Sequence, residues 1–226
     1  MKNLFIPFVL LVTTFGYGQI SRGTIFLGGS VNVAFDQVDS DKPDDLVSAS
    51  DLKRFSTTIQ PYVGIFLSEK WQIGGGLAFN YSATNIINYF PFADGGHYRR
   101  DDRESTHIYS IDLFATRYIR LTEKLFFTAT LDISGGKENS LYEREGYDDL
   151  DYKSTLLGID LSPGLTYFFS DRWAVVTNFG RVFADFRWRK DSDPYPASTV
   201  SSFGVNMKAN TFSIGVQYYL NNGSSE

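Results

Sequence analysis

The chain of 226 residues contains no cysteine. That absence excludes a disulfide framework, a cysteine-ligated metal, a thiol nucleophile and a lipid-anchored amino-terminal cysteine. Basic charge is also in short supply: the formal net charge is -5 and no Lys/Arg-rich run is present. Nucleic acid as a partner is therefore disfavoured, since its phosphates demand a basic patch. After the first 18 residues no apolar run approaches the roughly 20 residues that a spanning helix needs, so any membrane insertion must use strands. Mean hydropathy of -0.19 suits a soluble domain and equally a small barrel with a polar lumen and wet loops.

What is abundant favours strands. Aromatic residues make up 16%, with 20 Phe and 14 Tyr, alongside 20 Gly, and the length suits one all-β domain. The first segment stands apart from the rest. Met1 to Gly18 carries Lys2, an apolar run from Leu4 to Phe15, and then Gly16-Tyr17-Gly18. It reads as a signal peptide cut between Gly18 and Gln19, with the mature domain running from Gln19 to Glu226.

The clearest internal pattern is a tight turn written three times: Leu67-Ser68-Glu69-Lys70-Trp71, Leu121-Thr122-Glu123-Lys124-Leu125 and Phe169-Ser170-Asp171-Arg172-Trp173. Pro61 and Pro163 each stand ten residues before the tryptophan of their copy, so the unit is a repeated hairpin. Between the turns, polar and apolar residues alternate, as in Ile25, Leu27, Val31, Val33 and Phe35 against Thr24, Ser30 and Asn32. Strands are expected at about 23–36, 54–67, 71–84, 107–120, 124–135, 154–169, 172–189 and 203–220. The apolar phase slips after Phe179, which implies a bulge near Gly180. The matched positions of Pro61 and Pro163 suggest further local bulges. Asp36–Arg54, Asn85–Thr106, Gly135–Lys153 and Asp191–Ser202 read as long polar loops.

Short turns and long loops alternate without exception, which sorts them to opposite ends. The reading is an all-β, eight-stranded, antiparallel up-and-down transmembrane β-barrel with three short periplasmic turns and four long outer loops. Trp71, Trp173, Tyr167 and Tyr218 near the turns fit an interfacial girdle. On the leader segment, the eight alternating strands and the repeated turn, the chain resembles the outer membrane protein β-barrel family of Gram-negative bacteria, the OmpA and OmpX type of small barrel. The resemblance covers Gly23 to Leu220, with no further domain expected after it. It implies an outer-membrane location with periplasmic termini, surrounded by membrane lipid and lipopolysaccharide, and says little about activity.

Four charged residues fall on inward faces: Asp112, Asp132, Asp160 and, with the bulge, Arg181. They read either as an acid/base pair or as a structural luminal network completed by Gln60, Asn80, Asn178 and Gln217. The second is favoured, because eight strands leave room for side chains rather than a channel. Histidine occurs only as His97 and His107. Some small barrels are lipid A deacylases or palmitoyltransferases with a Ser/His pair. Here alternation sets Ser110 on the face opposite His107, and Ser105 reads as loop. Acidic loops, with Asp36, Asp39, Asp41, Asp44 and Asp45 in the first and Tyr142, Tyr147, Asp148, Asp149 and Asp151 in the third, offer groups for a divalent cation, for lipopolysaccharide through cation bridges or for a protein partner; no spacing matches a calcium loop, so solvated charge is the favoured reading. Gly74-Gly75-Gly76 lies within a strand and is no phosphate cradle.

The function expected is therefore structural or surface-interacting through the outer loops, by a monomer without catalysis, cofactor or metal, with an extracellular protein as a candidate partner. The alternatives are a lipid A-modifying acyl hydrolase or transferase, and passage of a small hydrophobic ligand through a lateral gap in the wall.

Overall fold

The turns set the geometry. In each copy the opening hydroxyl caps the reversal: Lys70 N donates to Ser68 Oγ at 3.3 Å, Leu125 N to Thr122 Oγ1 at 3.1 Å and Trp173 N to Ser170 Oγ at 3.1 Å. A serine or threonine at that position closes a tight turn locally, which is why the motif recurs with Ser or Thr but with variable neighbours. The computed structural model describes residues 21–38, 49–91, 97–144, 146–189, 197–206 and 212–220.

All regular elements among them are strands: β1 Ile25–Val38, β2 Ala49–Ser68, β3 Trp71–Pro91, β4 His97–Arg120, β5 Leu125–Arg144, β6 Leu150–Phe168, β7 Trp173–Asn178, β8 Arg181–Arg189, β9 Ser198–Asn206 and β10 Ser213–Tyr219. Every neighbouring pair is antiparallel, and the run from β5 through β1 to β10, β7 and β6 is closed by β5 pairing with β6. The result is a barrel of eight walls in which β7 with β8, and β9 with β10, each form one interrupted wall. Closure removes the free edges that an open sheet would leave.

The interruption between β7 and β8 lies at the slip in apolar phase. Gly164 pairs with Asn178 and Leu161 with Val182, so one extra residue sits on the β7–β8 side. Gly180 takes φ of 79°, a conformation that suits glycine. Pro163 lies opposite this bulge and its carbonyl accepts from Phe179 N at 3.0 Å. Pro61 departs from expectation, because no bulge accompanies it. It pairs with Gly29 on one side, while on the other the β2–β3 register is the same at Ile59↔Phe79 and Tyr62↔Gly76. A proline there is accommodated because the ladder skips its missing N–H.

Two of the expected loops are largely strand. β3 and β4 stay paired from Trp71↔Arg117 out to Pro91↔His97, and β4 and β5 out to Asp102↔Arg144. The polar stretches Asn85–Thr106 and Gly135–Lys153 are thus mostly hairpin ribbons that extend the barrel wall. Outside an apolar surround a strand needs no apolar face, so its alternation is silent. The central part of the first loop and the first half of the last fall outside the described residues, and the rest of the last is largely the start of β9. The last wall differs as well: β9 pairs with β8 and β10 with β7 and β1. Among the described residues, β1 beyond Val31 is paired with β2 alone.

Outward positions carry the apolar belt. Leu113 and Ile111 are both 63% exposed, with Val31, Val33, Ile59, Leu77, Leu131, Leu161 and Ile214 around the same ring. Aromatic pairs bound it. Near the turns Trp173 meets Tyr218 at 4.8 Å, and Arg117 lies 5.0 Å from the Trp71 ring. Toward the other end Tyr81 meets His107 at 5.0 Å and Phe79 meets Tyr109 at 5.8 Å. From Trp71 to Tyr81 the rise is about 25 Å for a strand tilted roughly 40°, the height of a bilayer's hydrocarbon core facing a barrel.

Candidate functional site in the lumen

Inward positions build three levels, beginning at the turn end with an aromatic floor. Phe26, Phe66, Phe168 and Tyr219 are buried with Tyr118 and Phe126. The rings meet edge to face or tilted: Phe66–Tyr118 at 5.3 Å, Phe126–Phe168 at 5.5 Å and Phe168–Tyr219 at 5.2 Å. Tyr62 and Phe114 pack on it from above. The two buried hydroxyls find amide partners, Tyr118 donating to Gln72 Oε1 at 2.9 Å and Tyr219 donating to Gln217 Oε1. Period-two alternation gives no sign of this floor, whose rings sit between lipid-facing residues that are apolar too. Its signal is at the turns, since each is flanked by an aromatic one position out of the lipid-facing phase, as Phe66 is between Ile65 and Leu67 and Phe168 between Tyr167 and Phe169.

Above the floor a cavity of about 220 Å³ is lined by polar side chains including Ser30, Gln60, Asp132, Asp160, Asn178 and Arg181. The expected luminal residues divide here. Gln60 Nε2 donates to Asp112 Oδ2 at 3.0 Å, and Ser110 Oγ donates to Asp112 Oδ1 at 3.0 Å. Arg181 Nη1 donates to Asp160 Oδ1 at 2.9 Å, and its other terminal nitrogen lies 3.6 Å from Asp185. Asp132 is the cross-strand neighbour of Asp160 and faces the same cavity. Asn80 stands apart from this group, contrary to expectation. Its amide donates to Thr58 Oγ1 at 2.8 Å and Thr57 O at 3.4 Å on the adjoining strand, so it braces β2 against β3. Gln217 turns down to the floor rather than up to the carboxylates. Ser110 and Asp185, which belong to the network, were not picked out from the sequence as part of it.

A third level lies in the ribbons. Asp102, 1% exposed, receives Asn88 Nδ2 at 2.9 Å, Arg100 Nε at 3.1 Å and the Tyr142 hydroxyl at 3.1 Å. Glu138 meets Arg187 at 3.0 Å. Burial, followed by the hydrogen bond and charge of Asp102, raises the Tyr142 phenol above its ordinary value. On the outer surface the Arg99 hydrogen bond holds the Asp101 carboxyl below its ordinary value. In the sequence the charged run Arg99 to Glu104 and Tyr142 read only as loop residues, because polar faces on both sides hide the paired strands that bring them together.

The remaining candidates are dispersed. The His107 ring faces outward against Tyr81, while Ser110 points inward to Asp112. Ser105, expected in a loop, lies in β4 on the outward phase. Gly74, Gly75 and Gly76 lie within β3, where a side chain at Gly74 would come 2.5 Å from the Val63 carbonyl, so close strand approach accounts for it. Among the described residues no group of three or more His, Asp or Glu is placed to hold a metal ion. The luminal set accomplishes charge pairing and cross-strand bracing around a small polar-lined cavity above the aromatic floor.

No protein-family model matches the chain, and no curated protein matches it. Solved structures similar in fold include the three that follow. The outer membrane protein OprG from Pseudomonas aeruginosa shares 12% identity over 91% of this chain and 100% of that one, with a TM-score of 0.43. Neisserial surface protein A shares 14% over 87% of this chain and 96% of that one, with a TM-score of 0.35. The transport unit of the autotransporter AIDA-I from Escherichia coli shares 8% over 93% and 81%, with a TM-score of 0.41. The chain's own closed ring, outward apolar belt and sealed base give it the architecture of an outer-membrane β-barrel.

Proposed function

We propose that the chain is exported by its amino-terminal segment and spans the outer membrane as a monomer, with both ends in the periplasm. In this reading it is a non-catalytic structural or surface-interaction protein that works through the ribbons and loops opposite its turns, with membrane lipid and lipopolysaccharide around it and an extracellular protein as a candidate partner.

The observation that carries this reading is the outward apolar belt, about 25 Å high between its aromatic girdles. An exposed apolar surface of that extent calls for lipid around it. The aromatic floor directs the role to the far rim, because a lumen sealed at the turn end has no through path. Gly23 and Leu220 both join the wall at the turn end, Gly23 N donating to Phe66 O and Leu220 N to Ile25 O, each within 2.9 Å. This agrees with periplasmic termini.

The lack of native cysteine permits a direct test of orientation. Tyr147→Cys at the ribbon end should react with a membrane-impermeant maleimide on intact cells, and Thr122→Cys at a turn should react only after the outer membrane is permeabilised. The reverse pattern would overturn the proposed orientation.

A further inference from the structure

We propose that the lipid-facing wall of β4, β5 and β6 holds one phosphorylated, multiply acylated lipid of the outer leaflet, an acyl chain in a notch at Gly135 and a phosphate on Lys137. The inference rests on the outer-membrane reading above.

Gly135 is the anomaly. It takes an outward position in the middle of the wall, paired with Ile111 on one side and Leu157 on the other. The outward neighbours are bulky, and a glycine in a strand interior weakens the strand. Nothing in the fold requires it: φ is not in the left-handed range, and a Cβ added there would meet no atom within 4 Å. Gly136 shows the contrast, since its Cβ would lie 2.5 Å from the Tyr109 carbonyl. Gly136 is thus explained by strand approach, and Gly135 by the space it leaves.

That space is a notch of about 550 Å³ lined by Leu77, Phe79, Tyr109, Ile111, Gly135 and Lys137 among others. Lys137 is the next outward residue toward the ribbon end, in register with Tyr109 and Thr155. Its Nζ donates to Thr155 Oγ1 at 2.9 Å. Among the described residues no carboxylate lies within ion-pair distance of it. A lysine at a belt edge would ordinarily snorkel freely into the headgroup region. Here a hydroxyl holds it over an apolar slot and leaves two ammonium protons to donate. The complement is an acyl chain continuous with an anionic headgroup at the upper interface. A phosphate is the anion common to lipids of that leaflet, and a nearby lysine favours it electrostatically.

Folded protein purified in detergent would be incubated with lipid A or with its dephosphorylated form and examined by native mass spectrometry. Wild type should retain one lipid with a roughly fivefold preference for the phosphorylated form. Lys137→Gln should keep the lipid and lose the preference, while Gly135→Leu, which fills the notch, should retain neither. Heat-modifiable migration verifies that each variant is folded, and Gly135→Leu should fold at least as well as wild type. Retention by Gly135→Leu equal to wild type, or no preference in wild type, would overturn the seat. If wild type is a heat-modifiable barrel that binds no lipid A, the seat alone fails. If wild type is not heat-modifiable, the outer-membrane reading fails with it.

Discussion

Truncating the floor should cost more than truncating the belt, although both remove comparable apolar groups. Phe66 is fully buried, and its ring meets Phe26 at 5.8 Å, Tyr118 at 5.3 Å and Tyr219 at 6.0 Å. Phe66→Ala loses about 2–3 kcal/mol of transfer free energy. Its three ring contacts are lost too, each of about 0.5 kcal/mol. The sum is about 4 kcal/mol, within the usual range for a buried phenylalanine. Leu113→Ala on the lipid face should cost under about 1 kcal/mol, since leucine and alanine differ little in a bilayer. Urea unfolding of the protein in lipid vesicles, followed by tryptophan fluorescence, reads the difference. With a slope of about 2 kcal/mol per molar, the Phe66→Ala midpoint should fall by roughly 2 M. If Phe66→Ala falls no further than Leu113→Ala, the rings are not a packed floor and the sealed base is wrong.

Further outcomes follow from the other levels. Leu113→Arg places a charge near the middle of the belt and should destabilise the barrel in vesicles by about 2–4 kcal/mol, a penalty absent if that face meets water. Arg181→Met strands Asp160 and Asp185 and should cost about 2 kcal/mol. Adding Asp160→Asn should recover part of it, and a double-mutant cycle with no coupling would show that the pair contributes nothing. The raised Tyr142 phenol contributes stability that is present below the ordinary tyrosine value and lost as pH rises through the folded one. Between about pH 9 and about pH 11, wild type should therefore lose more stability than Tyr142→Phe, and parallel losses would contradict the part-buried Tyr142–Asp102 contact.

The parts legible in the sequence are those the surround enforces. Val31 and Val33 stand out beside Ser30 and Asn32 because the inner face there is polar, and the hydroxyl of Ser68, Thr122 or Ser170 is needed to close each turn. Alternation failed where the surround gives no contrast. At Ile65-Phe66-Leu67 the inner face is also apolar, so period two disappears and the floor is hidden. At Asp101-Asp102-Arg103 both faces are polar, so a paired ribbon reads as a loop although Asp102 is buried. The luminal carboxylates were findable because a charge flanked by apolar residues breaks the pattern, as Asp112 does between Ile111 and Leu113. Asn80 breaks it in the same way yet bonds to its neighbouring strand, a choice set by the nearness of Thr58 that spacing alone does not encode.

The central claim is a closed barrel that exposes an apolar belt to lipid. Electrophoretic migration in detergent with and without boiling tests it most directly. Refolded into detergent micelles, the unboiled protein should run ahead of the boiled form as a compact, protease-resistant band and should precipitate when detergent is removed. Identical migration of the two samples, together with a monodisperse protein in detergent-free buffer, would contradict the account.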